Sequence, residues 1–298
     1  MRKTSVYLPD HLKRALALRA AATGRSEAEV IRAAVEAEVR GEAGAGAGPP
    51  DPPVRGRLVG VGVGPGDPDL LTVRAVTALR RADVVLAPAT SVDAVGRAEL
   101  VVRQALPGVR VERVPFAMAP GRRQRDRSVE AAAAAVTARL DGAEVAFVTL
   151  GDPLTWSTFS SVAAAVLRLR PATQVEQVPG VMAFQALAAR TGTVVTDESQ
   201  RLVVRTALAG DDLDGALDDP AATVVLYKGG RRLPELAAAA RDAGRLDGAV
   251  AGELLGMPGE RVGPLAEVAA AGPASYLATV IVPARDSPAR AGPENGRP

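Results

Sequence analysis

Cysteine is absent from this chain, and histidine occurs once, at His11. Without cysteine there can be no disulfide, thiolate nucleophile or cysteine–metal site. With its one imidazole at residue 11, everything downstream lacks the parts of a Ser-His triad or a histidine-ligated metal, and no metal site is expected. Aromatic side chains make up 3% of the chain against 47% hydrophobic residues, so Ala, Val and Leu must fill any core. The amino terminus is polar, and no apolar run reaches the roughly 18 residues of a membrane span. Neither a signal peptide nor a membrane contact is therefore expected, and the protein reads as cytoplasmic. Its 298 residues leave room for two or three domains.

The chain divides by composition. Residues 1–42 hold 8 Lys/Arg and 6 Asp/Glu and so carry all of the formal net charge of +2. Lys3–Leu8 alternates in the manner of a strand, with Thr4, Val6 and Leu8 on one face and Lys3, Ser5 and Tyr7 on the other, until Pro9 stops it. Leu12 and Leu16, one turn apart, begin a helix that Gly24 ends. Ser26 and Glu29 form a Ser-x-x-Glu capping box for a second helix, with Val30, Ile31, Ala34 and Val35 on one apolar face. Strand, helix and helix in about 40 residues are too few to bury a core alone. Residues 43–56 are rich in Gly and Pro and read as a flexible linker. Residues 285–298 read as a disordered polar tail.

Between linker and tail, Arg57–Thr72 reads as a buried strand, a turn with glycines at Gly60, Gly62, Gly64 and Gly66, and a helix. The glycines clear one side of the backbone, so a ligand or another segment can come close. This is not the G-x-G-x-x-G dinucleotide fingerprint, because Pro65 and Asp67 fall where its third glycine should be. No Gly-Lys-Ser/Thr follows to make a phosphate P-loop. Gly151-Asp-Pro-Leu-Thr-Trp-Ser-Thr-Phe159 repeats the device after the apolar run Ala143–Leu150, and Val178-Pro-Gly-Val-Met-Ala183 repeats it after residues 174–177. Such strand-to-turn junctions build sites at the carboxyl ends of α/β sheets. Strands are expected at residues 58–63, 84–87, 109–114, 145–149 and 175–178, then at 202–207, 223–227, 249–254 and 276–282. Alanine-rich helices lie between them, an α/β alternation of open sheets covered by helices.

In this order and spacing the segments resemble the tetrapyrrole methylase family, whose members take a methyl group from S-adenosyl-L-methionine. The motifs are Gly-x-Gly-x-Gly-Pro-Gly-Asp-Pro at 60–68, Ala-Asp-Val-Val at 82–85, and Phe116 with Met118. Gly-Asp-Pro-x-x-Tyr-Ser-Thr-Phe then follows from residue 151, with Trp156 in the Tyr position. Pro179-Gly-Val, Asp197-Glu198, Leu226-x-Lys228 and Tyr276-Leu complete the set, so the resemblance spans about residues 57–284. It stands closest to the branch that methylates precorrin-2 at C20 in cobalamin synthesis. It implies two α/β domains, 57–195 and 196–284, with the cofactor cleft between them and a reduced tetrapyrrole as substrate.

The resemblance also implies cofactor contacts from Pro65, Leu150, Gly151, Asp152, Thr155, Ser157, Thr158, Met182, Ala183 and Lys228. Asp67 can equally serve as an N-cap at Pro68. A substrate rimmed with carboxylates calls for basic groups, for which Arg122, Arg123 and Arg231 are the candidates, with Arg125, Arg127 and Arg232 beside them. Trp156 either stacks on the macrocycle or forms cleft wall. The chain departs from the uroporphyrinogen branch, which carries an aspartate where Ala87-Pro88 stands here, so no catalytic base is assigned.

Residues 1–42 resemble the ribbon-helix-helix family, in which two chains pair their strands. That implies a homodimer with Lys3, Ser5 and Tyr7 toward DNA base edges and Ser26 against a phosphate. Dimerisation without DNA binding stays open. So do two alternatives for the whole: a methylase of this fold acting on another corrin precursor or on RNA, and a transcriptional regulator with a methylase-like ligand-sensing domain.

Overall fold

The computed structural model describes residues 10–39, 56–116, 121–197, 199–208 and 215–287. Its contacts separate residues 1–53 from residues 54–298.

The first unit contains α1 (Asp10–Thr23) and α2 (Glu27–Val39). Gly24, at φ +64°, makes the left-handed turn that ends α1. The capping box forms as expected: the Ser26 amide donates to the Glu29 carboxylate at 2.8 Å, and the Glu29 amide donates to Ser26 Oγ at 3.3 Å. On the apolar face of α2, Val30 and Ile31 are half-buried, whereas Val35 is 55% exposed. The expected strand at Lys3–Leu8 lies outside the described residues.

The second unit begins with a five-stranded sheet of β1 (Arg57–Gly62), β2 (Val84–Ala89), β3 (Val111–Pro115), β4 (Glu144–Thr149) and β5 (Gln174–Val178), in the order β3-β2-β4-β1-β5. Every pairing in it is parallel. Strand alternation divides β1 between two cores. Leu58 joins Phe147, Phe159 and Val162 under α5 (Arg122–Thr137) and α6 (Thr158–Leu169). Val59 and Val61 join Leu79, Val101 and Val148 under α3 (Val73–Arg81) and α4 (Arg97–Ala105). Each such side chain, when fully buried, stabilises by roughly 1.5–3 kcal/mol. Packing of Phe147 on Phe159, with centroids 6.2 Å apart, is why residue 60 is glycine: a Cβ there would lie 2.4 Å from the Phe159 ring.

A second sheet contains β6 (Arg201–Thr206), β7 (Ala222–Tyr227), β8 (Val250–Glu253), β9 (Arg261–Pro264) and β10 (Thr279–Val282), in the order β6-β7-β10-β8-β9. Only β6–β7 is a parallel pair. α7 (Ala183–Thr191) covers one face through Ala186 and Leu187. α8 (Leu233–Asp242) and α9 (Leu265–Ala270) cover the other. Two expectations are corrected here. β9 was not foreseen, because Arg-Val-Gly-Pro carries turn residues that a strand tolerates at a sheet edge. β10 starts three residues late, because Tyr276–Ala278 form a turn. Arg245, 3% exposed, caps the far end of this sheet by donating to the carbonyls of Leu217, Asp219, Ala222, Val282 and Pro283.

One buried charge sets the loop that leads into α4. Glu99 is fully buried, with Arg113 Nε at 2.7 Å and Arg103 at 2.6 Å, and Arg113 also donates to the Val92 carbonyl at 2.9 Å. Burial pushes the Glu99 carboxyl up, but the hydrogen bonds and charge of Arg113 and Arg103 hold it below its ordinary value of 4.5. This stabilisation is therefore present above pH 4.5 and is lost as pH falls through the lowered value. Glu99→Gln should cost about 2 kcal/mol or more of unfolding free energy at neutral pH, since it leaves buried donors poorly matched. In urea titrations repeated down to about pH 3, the variant should show a shallower acid loss than its parent.

Candidate active site

Because β4, β1 and β5 are neighbours, the three glycine-bearing turns leave the sheet side by side at its carboxyl edge. They pack backbone against backbone. A Cβ on Gly62 would lie 2.5 Å from the Gly151 oxygen and 2.6 Å from the Gly180 nitrogen, and one on Gly180 would lie 2.1 Å from the Gly151 oxygen. The Gly151 amide donates to the Gly64 carbonyl at 2.8 Å. Asp152 adds a tie, accepting from the amides of Leu154 at 2.9 Å and Gly180 at 3.4 Å. Chain segments, not open space, thus fill the gaps left by Gly60, Gly62 and Gly66. Gly151 differs. Its φ of +66° requires glycine, and among the described residues no atom stands within 4 Å of where a side chain would go.

The second sheet closes the site from the opposite side. A Cβ on Gly66 would lie 2.2 Å from the Leu255 oxygen, and one on Gly256 would lie 2.3 Å from the Asp67 nitrogen. Arg190 on α7 pins this contact, reaching Asp67 at 3.3 Å and Glu260 at 3.0 Å. Pro65, Leu150 and Ala183 from the three junctions and Leu254, Leu255 and Met257 from the turn after β8 line one pocket together with Arg97 and Leu277.

Among the described residues, three other than glycine have left-handed backbone: Trp156 at φ +46°, Lys228 at +61° and Leu254 at +53°. All three border this region, where such strain accompanies function more often than chance. Trp156 packs on Tyr227, with centroids 5.6 Å apart, yet is 45% exposed. Lys228 Nζ donates to the Trp156 carbonyl at 3.3 Å and lies 5.9 Å from the centre of the Tyr276 ring. Burial, aided by the Arg125 charge, pulls the Lys228 amine below its ordinary value. Burial likewise pushes the Tyr227 hydroxyl up to about 12, while that oxygen accepts from the Phe184 amide at 3.1 Å.

The residues expected at the site fall into groups. Pro65, Leu150 and Ala183 come together on the pocket wall. Gly151 presents the open face beside them. Asp152 and Thr155 bond to each other at 3.4 Å. Ser157 caps α6, accepting from the Phe159 amide at 3.0 Å and donating to Thr149 Oγ1 at 3.0 Å. Thr158 opens α6, and Met182 precedes α7, its amide held by Gln185 at 2.9 Å. Lys228 lies against Trp156 rather than on the pocket wall. Asp67 caps the 3-10 turn Pro68–Leu70, accepting from the Asp69 amide at 3.0 Å. Arg123 and Arg231 are exposed, and Arg122 starts α5 with its side chain outside the described set. Met118, Glu198, Lys3, Ser5 and Tyr7 also lie outside the described residues. Arg97, Leu255 and Met257 were not anticipated; Leu254 was expected only as the end of a strand and Leu277 only as part of the Tyr276-Leu motif.

Residues 57–269 match the family model of tetrapyrrole (corrin/porphyrin) methylases, and residues 2–41 match the ribbon-helix-helix protein, copG family. A cobalt-precorrin-2 C(20)-methyltransferase of Salmonella typhimurium is 32% identical over 233 residues, 77% of this chain and 97% of that protein. A precorrin-2 C(20)-methyltransferase of Sinorhizobium is 35% identical over 239 residues, covering 76% and 95%. The solved structure of uroporphyrin-III C-methyltransferase from Thermus thermophilus, complexed with S-adenyl homocysteine, aligns with a TM-score of 0.53 at 26% identity, over 76% of this chain and 97% of that one. Two sheets, junctions meeting through glycine and a match across most of the second unit agree: the chain belongs to the tetrapyrrole methylases.

Proposed function

We propose that residues 57–284 are an S-adenosyl-L-methionine-dependent C-methyltransferase acting at C20 of precorrin-2, metal-free or cobalt-bound. The carrying observation is that residues of three glycine junctions and of the turn after β8 line one pocket, in a chain whose relatives are named for that substrate. The residues fit the cofactor: apolar walls at Pro65, Leu150 and Ala183 suit a purine and a thioether chain, and Gly151 leaves room for close approach.

The bound cofactor supplies a methyl already activated by sulfonium. What remains for the protein is alignment, which can lower a barrier by roughly 7–11 kcal/mol. Backbone held by glycine packing suits that task, because it has no side-chain freedom to lose. Asp152, Thr155, Ser157, Thr158 and Met182 serve by fixing the turns and helix starts that carry the wall. Trp156 offers its exposed face to the macrocycle, and Arg123 and Arg231 offer cations to its carboxylates. We assign residues 57–195 and 196–284 to the two halves of the enzyme, with 1–42 and 43–56 as appended module and linker.

Gly151→Ala puts a methyl group into the open face and strains a left-handed position. By calorimetry it should weaken S-adenosylhomocysteine binding about tenfold or more, with a modest loss of thermal stability; unchanged affinity would take Gly151 out of the site.

The full chain and a version starting at Val54 should each add one methyl group to precorrin-2 when incubated with labelled S-adenosyl-L-methionine, as read by mass spectrometry. Running metal-free and cobalt-bound substrate in parallel identifies the preferred form. A truncated protein that is inactive while its parent works would make residues 1–53 part of the enzyme.

A second function is favoured by the ribbon-helix-helix match and by the uncovered apolar face of α2 at Val35. We infer that residues 1–42 pair with those of a second chain, giving a homodimer, and offer Lys3, Ser5 and Tyr7 to the DNA major groove. Selection from random duplexes by the full chain should enrich an inverted repeat. Changing Lys3, Ser5 and Tyr7 together to Ala should abolish the enrichment while leaving dimers and weak, salt-sensitive binding. No enrichment by the parent would leave assembly as the role of this segment.

A further inference from the structure

Among the described residues that line the pocket, Arg97 is the charged one; the others are Pro, Ala, Leu and Met. It is the first residue of α4, and it crosses to the second sheet, where its Nη2 donates to Ser275 Oγ at 3.2 Å. Neither carboxylate nearest to this bridge neutralises it. Glu99, two residues on, is engaged by Arg103, Arg113 and the Gly96 amide. Glu253 is taken by Arg261 and by the Ser275 amide. No ion pair to Arg97 forms among the described residues. A half-buried guanidinium at an apolar pocket, with one of its five donors on a neutral hydroxyl, is matched for an anion.

The proposed cofactor carries one anionic group, the carboxylate of its amino-acid end. We propose that Arg97 binds that carboxylate and so fixes which way the cofactor lies in the pocket. The assignment rests on the methyltransferase reading. The lining divides the labour: apolar walls take the purine and thioether parts, and the single cation among them takes the end that apolar walls would reject. Glu99 acts behind it, since its ion pairs set the start of α4 and hence the base of the Arg97 side chain. The bond to Ser275 ties the same cation to the second sheet, so carboxylate binding would draw on both halves of the unit at once.

Calorimetry on the full chain with two thioethers tests this: S-adenosylhomocysteine, and its decarboxylated analogue that keeps the ammonium. The parent should bind the decarboxylated compound on the order of tenfold more weakly, the worth of one charge-assisted hydrogen-bonded pair. Arg97→Met should lower affinity for S-adenosylhomocysteine by a similar factor while leaving the analogue unchanged, so that the preference disappears. Arg97→Lys should keep part of it. Equal binding of both thioethers by the parent would overturn the assignment without need of any variant, as would an Arg97→Met protein that retains the parent's preference. A parent that binds neither compound overturns the cofactor reading itself, and this inference with it.

Discussion

The methylase unit depends on one contact between main chains, where Gly62, Gly151 and Gly180 meet at the carboxyl edge of the first sheet. Each of these residues sits where a Cβ would fall less than 3 Å from a neighbouring backbone atom or, at Gly151, where only a left-handed backbone fits. Side chains can shift to relieve crowding, but backbones held in a parallel sheet cannot. The contact therefore locks three strand ends, and the turns that follow them, into one rigid wall. The pocket is the far side of that wall.

The two sheets differ in what they add. The first is parallel, with apolar side chains on both faces, and it sets the wall. The second is mixed, and its turn Leu254–Met257 reaches the wall, seated on Gly66 and Asp67 and pinned by Arg190. The left-handed residues Trp156, Lys228 and Leu254 all lie along this meeting line. Their strain, of order 1–3 kcal/mol each, is borne by the surrounding packing and directs their side chains to where the two sheets face each other.

Charge is used sparingly and in two ways. Glu99 and Arg245 are buried, the one paired with two arginines and the other donating through both Nη atoms to five carbonyls while its Nε has no partner among the described residues, and both brace loops that the apolar cores cannot reach. Arg97 and Lys228 stand at the cleft with neutral oxygen partners. The first pair serves the fold, and the second stands beside the proposed site.

Much of this was legible in the chain itself. The alternation of apolar runs and alanine-rich stretches located nine of the ten strands, and the Ser26–Glu29 box placed the start of α2. The Gly-Pro turns marked the three junctions, because strand periodicity and turn chemistry are local properties written within a few residues, whereas Pro65, Leu150 and Ala183 were named as site residues by the family resemblance. The edge strand β9 was not legible, since Arg-Val-Gly-Pro gains its strand character only from pairing with β8. Nor did the sequence distinguish glycines that admit a neighbouring chain from the one that faces open space, because that depends on which strands are adjacent. Arg97 and Leu255 carried no local signal at all. They come to the pocket from segments up to about 160 residues apart, and only the packing of the two sheets brings them together.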